Sequence, residues 1–153
     1  MSLRVTTETG WQPKGAIDLR ATDDEPGTCD RCGQRDLRIL HTEEGQLHVG
    51  SESAKRLCWG YDPCRVEKRL NNLWSRRSRW LTRNWGMSWN GNDTLMFRHT
   101  GETVRVTIFI NKFGQFMYCV SIDGNPFYSS QSFAEADVAK LAAFDRIAVE
   151  LKW

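Results

Sequence analysis

Apolar positions recur at helical spacing from Asp62 onward. Val66, Leu70, Leu73, Trp74, Trp80, Leu81 and Trp85 fall on one face, which predicts an amphipathic helix. Asp62 suits the N-cap, Pro63 the first helical position and Gly86 the stop. Such a helix, ending at about Trp85, spans about 30 Å. Beyond it the period switches to two. Thr94–His99, Thr103–Asn111 and Gln115–Ile122 read as three strands, separated by turns at Thr100-Gly101-Glu102 and Lys112-Phe113-Gly114. A short strand-like fragment, Phe127-Tyr128, follows Asp123-Gly124-Asn125. Ser132-Phe133-Ala134-Glu135 has the form of a capping box opening a final helix, with Val138, Leu141, Phe144, Ala148 and Leu151 as its buried face.

The N-terminal part is patterned differently. Residues 1–28 are polar, show little periodicity and end in the acidic loop Asp23-Asp24-Glu25-Pro26-Gly27. A tight turn, Cys29-Asp30-Arg31-Cys32-Gly33, comes next. Leu37–Leu40 and Gln46–Val49 read as a hairpin around Glu43-Glu44-Gly45, and Ser51–Leu57 as a short helix capped by Ser51.

Charge changes the picture more than composition does. The 153 residues carry a formal net charge of only +2. Residues 1–64 carry a net −3 and residues 86–153 a net −1, whereas residues 65–85 carry seven basic side chains against the single Glu67, a net +6. Opposite the apolar stripe of the helix lie Arg65, Lys68, Arg69, Arg76, Arg79 and Arg83, interleaved with neutral hydrogen-bonding residues. A solvated helix face usually mixes signs to gain pairs four residues apart, and this one does not. Arginine forks suit phosphate oxygens, so these six residues are the candidate nucleic-acid-binding set, with an acidic protein surface as the alternative partner. Arg77 lies nearer the apolar side. Seven Trp and seven Phe supply an aromatic core or an exposed aromatic surface. No apolar run approaches the roughly 20 residues that cross a bilayer, and the N-terminus lacks a signal-peptide-like apolar segment. The expected location is the cytoplasm, where thiols stay reduced.

In that compartment Cys29-x-x-Cys32-Gly33 is half of a metal site, because two thiolates on one tight turn reach the same ion. Cys58 and Cys64 complete an all-sulfur set if the chain folds back at Gly60, and His41 and His48 are nitrogen alternatives. Without metal, the pair is a structural turn. Cys119 reads as a core residue of its strand. The turn, the strand Leu37–Leu40, Val49-Gly50-Ser51-Glu52-Ser53-Ala54, the basic helix and the closing Ala139–Asp145 resemble a group of uncharacterised bacterial and phage proteins. The resemblance implies a zinc-ribbon-like N-terminal unit followed by an Arg/Trp-rich helix. Ser51 and Ser53 stand where that pattern places cysteines.

The expected architecture is therefore α+β. A zinc-ribbon-like module occupies residues 1–61, and residues 62–153 form a long helix, a three-stranded antiparallel sheet and a C-terminal helix. This α-β-β-β-α order resembles double-stranded-RNA-binding domains, and the last helix resembles that of ethylene-response-factor-type DNA-binding domains. Glu135 and Asp137 depart from the basic helix start of the former, and a sheet offering only Arg98, Arg105 and Lys112 departs from the latter. Three histidines lack catalytic spacing, and there is no Gly-rich phosphate loop. The functional expectation is a non-catalytic nucleic-acid-binding accessory protein with one zinc ion. The alternative is a protein-interaction module, such as a mobile-element-encoded inhibitor of a host enzyme.

Overall fold

The computed structural model describes residues 13–20, 24–43, 48–57 and 61–153. The chain divides into two compact units, Met1–Trp74 and Ser75–Trp153.

The first unit holds β1 (Pro13–Asp18), β2 (Ile39–Glu43) and β3 (His48–Val49), paired antiparallel in that order, with α1 (Ser51–Leu57) and most of α2 (Pro63–Ser78). β1 arises in a stretch whose sequence shows no strand pattern. Its register places Ala16 opposite His41 and Asp18 opposite Ile39, so the main chain of β2 supplies its hydrogen-bonding partner. The turn proposed at Glu44 and Gly45 lies outside the described residues. Between β1 and β2, Gly27 and Leu37 exchange backbone bonds of 2.8 and 3.0 Å. A Cβ on Gly27 would come within 2.6 Å of Leu40 Cδ1, so a larger residue there would force the Leu40 side chain to shift. Cys29, Val49 and Ala54 form a small core, with Leu37 and Tyr61 packed against it.

At the start of α2, the Asp62 carboxylate accepts the Arg65 N–H at 3.1 Å, as a helix cap does. The helix stops at Ser78, seven residues before the expected end near Trp85. The Ser78 hydroxyl and the Arg79 Nε–H both donate to the Ser75 carbonyl, and the Trp80 N–H bonds three residues back to Arg77. The chain leaves the helix there, and Trp80 is buried in the second unit.

The second unit is a five-stranded antiparallel meander in sequence order: β4 (Gly86–Met87), β5 (Asp93–His99), β6 (Glu102–Ile110), β7 (Phe116–Ile122) and β8 (Asn125–Tyr128). α3 (Ala136–Glu150) packs on one face of β6 and β7. Leu95, Val104, Val106, Ile108, Val120 and Ile122 are the buried side of the period-two pattern. Thr100-Gly101 and Asp123-Gly124 have positive φ at both residues, the geometry of the two-residue turn that matches strand twist.

These findings correct the expected fold. The fold is α+β in the general sense, but the three-stranded sheet between flanking helices is a five-stranded sheet, and a separate three-stranded sheet stands in the first unit. β4 is two residues long and displays no readable period, whereas the strand-like fragment Phe127-Tyr128 is the end of β8, an edge strand that tolerates Pro126. The capping box is also corrected. Glu135 is the N-cap without a side-chain bond, and the Ser132 hydroxyl instead donates to Gln115 Oε1 at 2.6 Å. The buried face of α3 is Ala139, Ala143, Phe144 and Ile147, while Val138 is 47% exposed. Small alanines there let the helix approach the sheet.

Candidate functional site

Residues 79–85 continue from α2 as an irregular segment anchored by two tryptophans. The Trp80 indole N–H donates to the Lys140 carbonyl at 2.8 Å, and the Trp85 indole N–H to the Trp80 carbonyl at 3.2 Å. Trp80 stands edge-on to Trp85, Phe97 and Phe144, with centroids 5.2 to 5.9 Å apart. Lys140, ion-paired to Asp93 at 2.8 Å, lies over the Trp85 ring. The segment is thereby held against β5 and α3.

An open cleft of about 490 Å³ forms beside this anchor, wholly within the second unit. Its floor is aromatic, with half-buried Phe97 and Trp153 at the surface and the fully buried Trp80 and Phe144 behind them. Its basic rim is Arg76, Arg79, Arg83 and Arg98. The Arg76 guanidinium lies 5.1 Å from the Trp153 ring centroid, and that of Arg83 lies 4.6 Å from Phe97. Among the described residues, none of these four arginines has a carboxylate within ion-pair distance. Arg77 differs, since it forms a forked pair with Asp145 at 2.9 and 3.2 Å. Arg83 is exposed as a residue, yet desolvation pushes its guanidinium below the ordinary value. Arginine stays charged under such a shift, so the rim is a fixed positive field over an apolar floor. The Trp153 indole N–H donates to His99 Nε2 at 3.2 Å. Neutral His99 therefore carries its proton on Nδ1.

All six residues of the candidate basic set are exposed. Arg76, Arg79 and Arg83 meet at the cleft, whereas Arg65, Lys68 and Arg69 lie on the earlier turns of α2, in the first unit. Arg98, His99 and Trp153 join the site without any local signal. Of the other sheet cations, Arg105 lies near Met96 Sδ at 3.9 Å, and Lys112 lies over Phe113 in an exposed turn. Trp89 is 95% exposed, and Trp59 lies outside the described residues.

The cysteine turn belongs to the first unit. Gly33, at φ +73°, closes it with an N–H bond to the Cys29 carbonyl at 2.9 Å. Cys29 is buried and Cys32 exposed, with the Cys32 N–H 3.5 Å from Cys29 Sγ. The Ser53 hydroxyl lies 3.4 Å from the same sulfur. Burial opposes ionisation of Cys29. The Ser53 hydroxyl and the N–H groups of Cys32, Gly50 and Arg31 outweigh it, and the thiol falls from 9.0 to about 6. Cys64 is exposed on the first turn of α2, and Cys58 lies outside the described residues. His41 is fully buried, with Nδ1 2.7 Å from the Tyr61 hydroxyl and Nε2 2.9 Å from Glu67 Oε1, so both ring nitrogens are engaged. The exposed His48 donates its backbone N–H to Asp30 Oδ2 at 2.7 Å. Among the described residues, no three His, Cys, Asp or Glu side chains form a group that could hold a metal ion. Cys119 is half-buried in β7.

Among the described residues, no helix is long and apolar enough to cross a membrane. Comparisons with protein-family models, with curated proteins and with solved structures find no match to this chain.

Proposed function

We propose that the protein binds nucleic acid as a non-catalytic partner, with the arginines of the second unit on the phosphate backbone. The observation that supports this is the convergence of Arg76, Arg79, Arg83 and Arg98 on one cleft without carboxylate partners among the described residues. A guanidinium held without a counter-ion beside aromatic rings is poised for an anion with a flat, apolar neighbour. Each phosphate neutralised releases counterions, so affinity falls steeply with salt. The variant Arg76→Ala with Arg79→Ala is expected to weaken binding to all sequences alike, because phosphates carry no base identity. The slope of log affinity against log salt should flatten by about 1 to 2. Fluorescence anisotropy with mixed-sequence oligonucleotides measures this, and an unchanged affinity and slope in the double variant would remove these arginines from the interface.

A second reading, an acidic protein surface, draws on the same charges and on the exposed Trp89 and Met87, residue types that anchor protein interfaces. Stoichiometric capture of one protein, with no salt-dependent oligonucleotide binding, would favour it.

We also propose zinc at the cysteine turn. The low thiol value of Cys29 and the neighbouring Cys32 supply two sulfur donors. Ser53, whose hydroxyl lies 3.4 Å from Cys29 Sγ, is a poor zinc ligand, so further donors must come from elsewhere in the chain. The expected result is about one zinc per chain after purification without chelator, lost in Cys29→Ser together with protection of the β2 amides. Zinc-free wild-type protein with full protection would leave the turn purely structural.

A further inference from the structure

Resting on the nucleic-acid reading above, we infer that the cleft of the second unit takes the unpaired base of a single strand, so that the protein prefers single-stranded nucleic acid to duplex. Four features point to this. First, the site is concave and about 490 Å³, within the roughly 300–1,000 Å³ range of pockets that enclose small organic groups. A duplex offers phosphates and base edges along a convex surface, and its base faces are already stacked. An aromatic floor gains nothing from such a ligand. A base unstacked from a single strand presents both faces and fits a concavity of this size.

Second, the rings at the cleft are overlaid by cations. The Arg76 guanidinium lies 5.1 Å from the Trp153 centroid, and the Arg83 guanidinium lies over Phe97 at 4.6 Å and Trp80 at 5.4 Å. A guanidinium plane stacks on a base as readily as on a ring, while its N–H edge pairs with a phosphate oxygen. Base and backbone phosphate are thus recognised by the same side chains.

Third, β4 pairs only with Asp93 and Thr94, so among the described residues no strand pairs with Leu95–His99 of β5 on that side. Phe97, Arg98 and His99 of that segment line the cleft. The main-chain N–H and C=O groups along this strand edge are donors and acceptors for the edge of a base. Fourth, the Trp153-to-His99 hydrogen bond leaves the Nδ1–H of neutral His99 as a further donor beside the floor.

The test uses the intact protein and four labelled ligands: a single-stranded 12-mer of DNA, the same in RNA, a 12-base-pair duplex, which carries twice the phosphates and so favours the rival outcome, and an abasic 12-mer that keeps the backbone without bases. Binding is measured by anisotropy at one low salt concentration, with intrinsic tryptophan fluorescence as a second readout. The expected result is that at least one of the base-bearing single strands binds about 10-fold or more tightly than both the duplex and the abasic strand. That strand should quench tryptophan where the abasic strand does not. Equal binding of all four would overturn the base pocket while leaving phosphate recognition intact. Tighter binding of the duplex would likewise overturn it. Failure of every ligand to bind would overturn the nucleic-acid reading itself. Because the ligands change and the protein does not, no outcome depends on a variant that fails to fold.

Discussion

Replacing Trp80 by alanine is expected to destabilise the second unit by about 3–5 kcal/mol. Trp80 is 1% exposed and is the largest fully buried side chain among the described residues. Its ring meets Trp85, Phe97 and Phe144 edge-on at 5.7, 5.9 and 5.2 Å between centroids. These neighbours come from the irregular segment, from β5 and from α3, so one truncation opens a cavity where three elements meet. The indole hydrogen bond to the Lys140 carbonyl disappears with the ring. Trp80→Phe keeps an aromatic body in contact and loses this bond, so its cost should be smaller, with about 1 kcal/mol coming from the bond alone. A total stability of about 5–15 kcal/mol makes the alanine change a large fraction of the whole. Hydrogen exchange of the β6 and β7 amides reads the second unit directly, and urea denaturation gives the free energy. A loss below about 1 kcal/mol in Trp80→Ala would contradict the anchoring role assigned to this residue.

Which parts of the molecule are legible in the sequence follows from how local their causes are. The turns at Thr100-Gly101 and Asp123-Gly124 depend on residues that tolerate positive φ, and those residues stand in the turns themselves. The start of α2 is equally local, since Asp62 caps the helix from the neighbouring position. Its end is not. The apolar spacing continues through Trp80 to Trp85, but the burial of Trp80 against Phe97 and Phe144, residues distant in sequence, decides where the helix stops. Likewise β1 exists because β2 offers it a partner, and β4 because β5 does. Neither carries enough alternation of its own to be read. Ser132 illustrates a local signal overridden, because Gln115 lies within 2.6 Å and takes the hydroxyl that would otherwise cap α3.

The candidate site divides along the same line. Charge concentration picks out Arg76, Arg79 and Arg83, because an acid-poor stretch on one helix is visible without any tertiary information. The aromatic floor joins residues as far apart as Trp80 and Trp153, and the fourth arginine arrives on β5. Periodicity assigns Trp80 to the core, which it does occupy, yet the same ring also borders the cleft. In the first unit, Cys-x-x-Cys-Gly is legible as a turn, while the hydrogen bonds that set its chemistry come partly from Gly50 and Ser53, some twenty residues later.

Those hydrogen bonds lead to a stability that rises with pH. Cys29 titrates at about 6 in the folded chain against an ordinary value of 9.0. Between these values the unfolded chain holds a proton on this sulfur that the folded chain has released, so stability increases as pH rises through that window. The contribution is full above about pH 9 and is lost as pH falls through about 6. Its ceiling, set by the size of the shift, is about 4 kcal/mol. Burial works against the thiolate, so the effect rests on the Ser53 hydroxyl and the N–H groups of Cys32, Gly50 and Arg31. Chemical denaturation at about pH 6, about pH 7.5 and about pH 9, with reductant and chelator present, isolates the proton equilibrium from disulfide formation and metal binding. Cys29→Ala removes a buried side chain and should cost stability at every pH, but its curve should lack the Cys29 component of the slope. Ser53→Ala removes one donor, raises the thiol back toward its ordinary value and should narrow the window. Parallel pH curves for the wild-type protein and Cys29→Ala would show that the sulfur is not held as a thiolate.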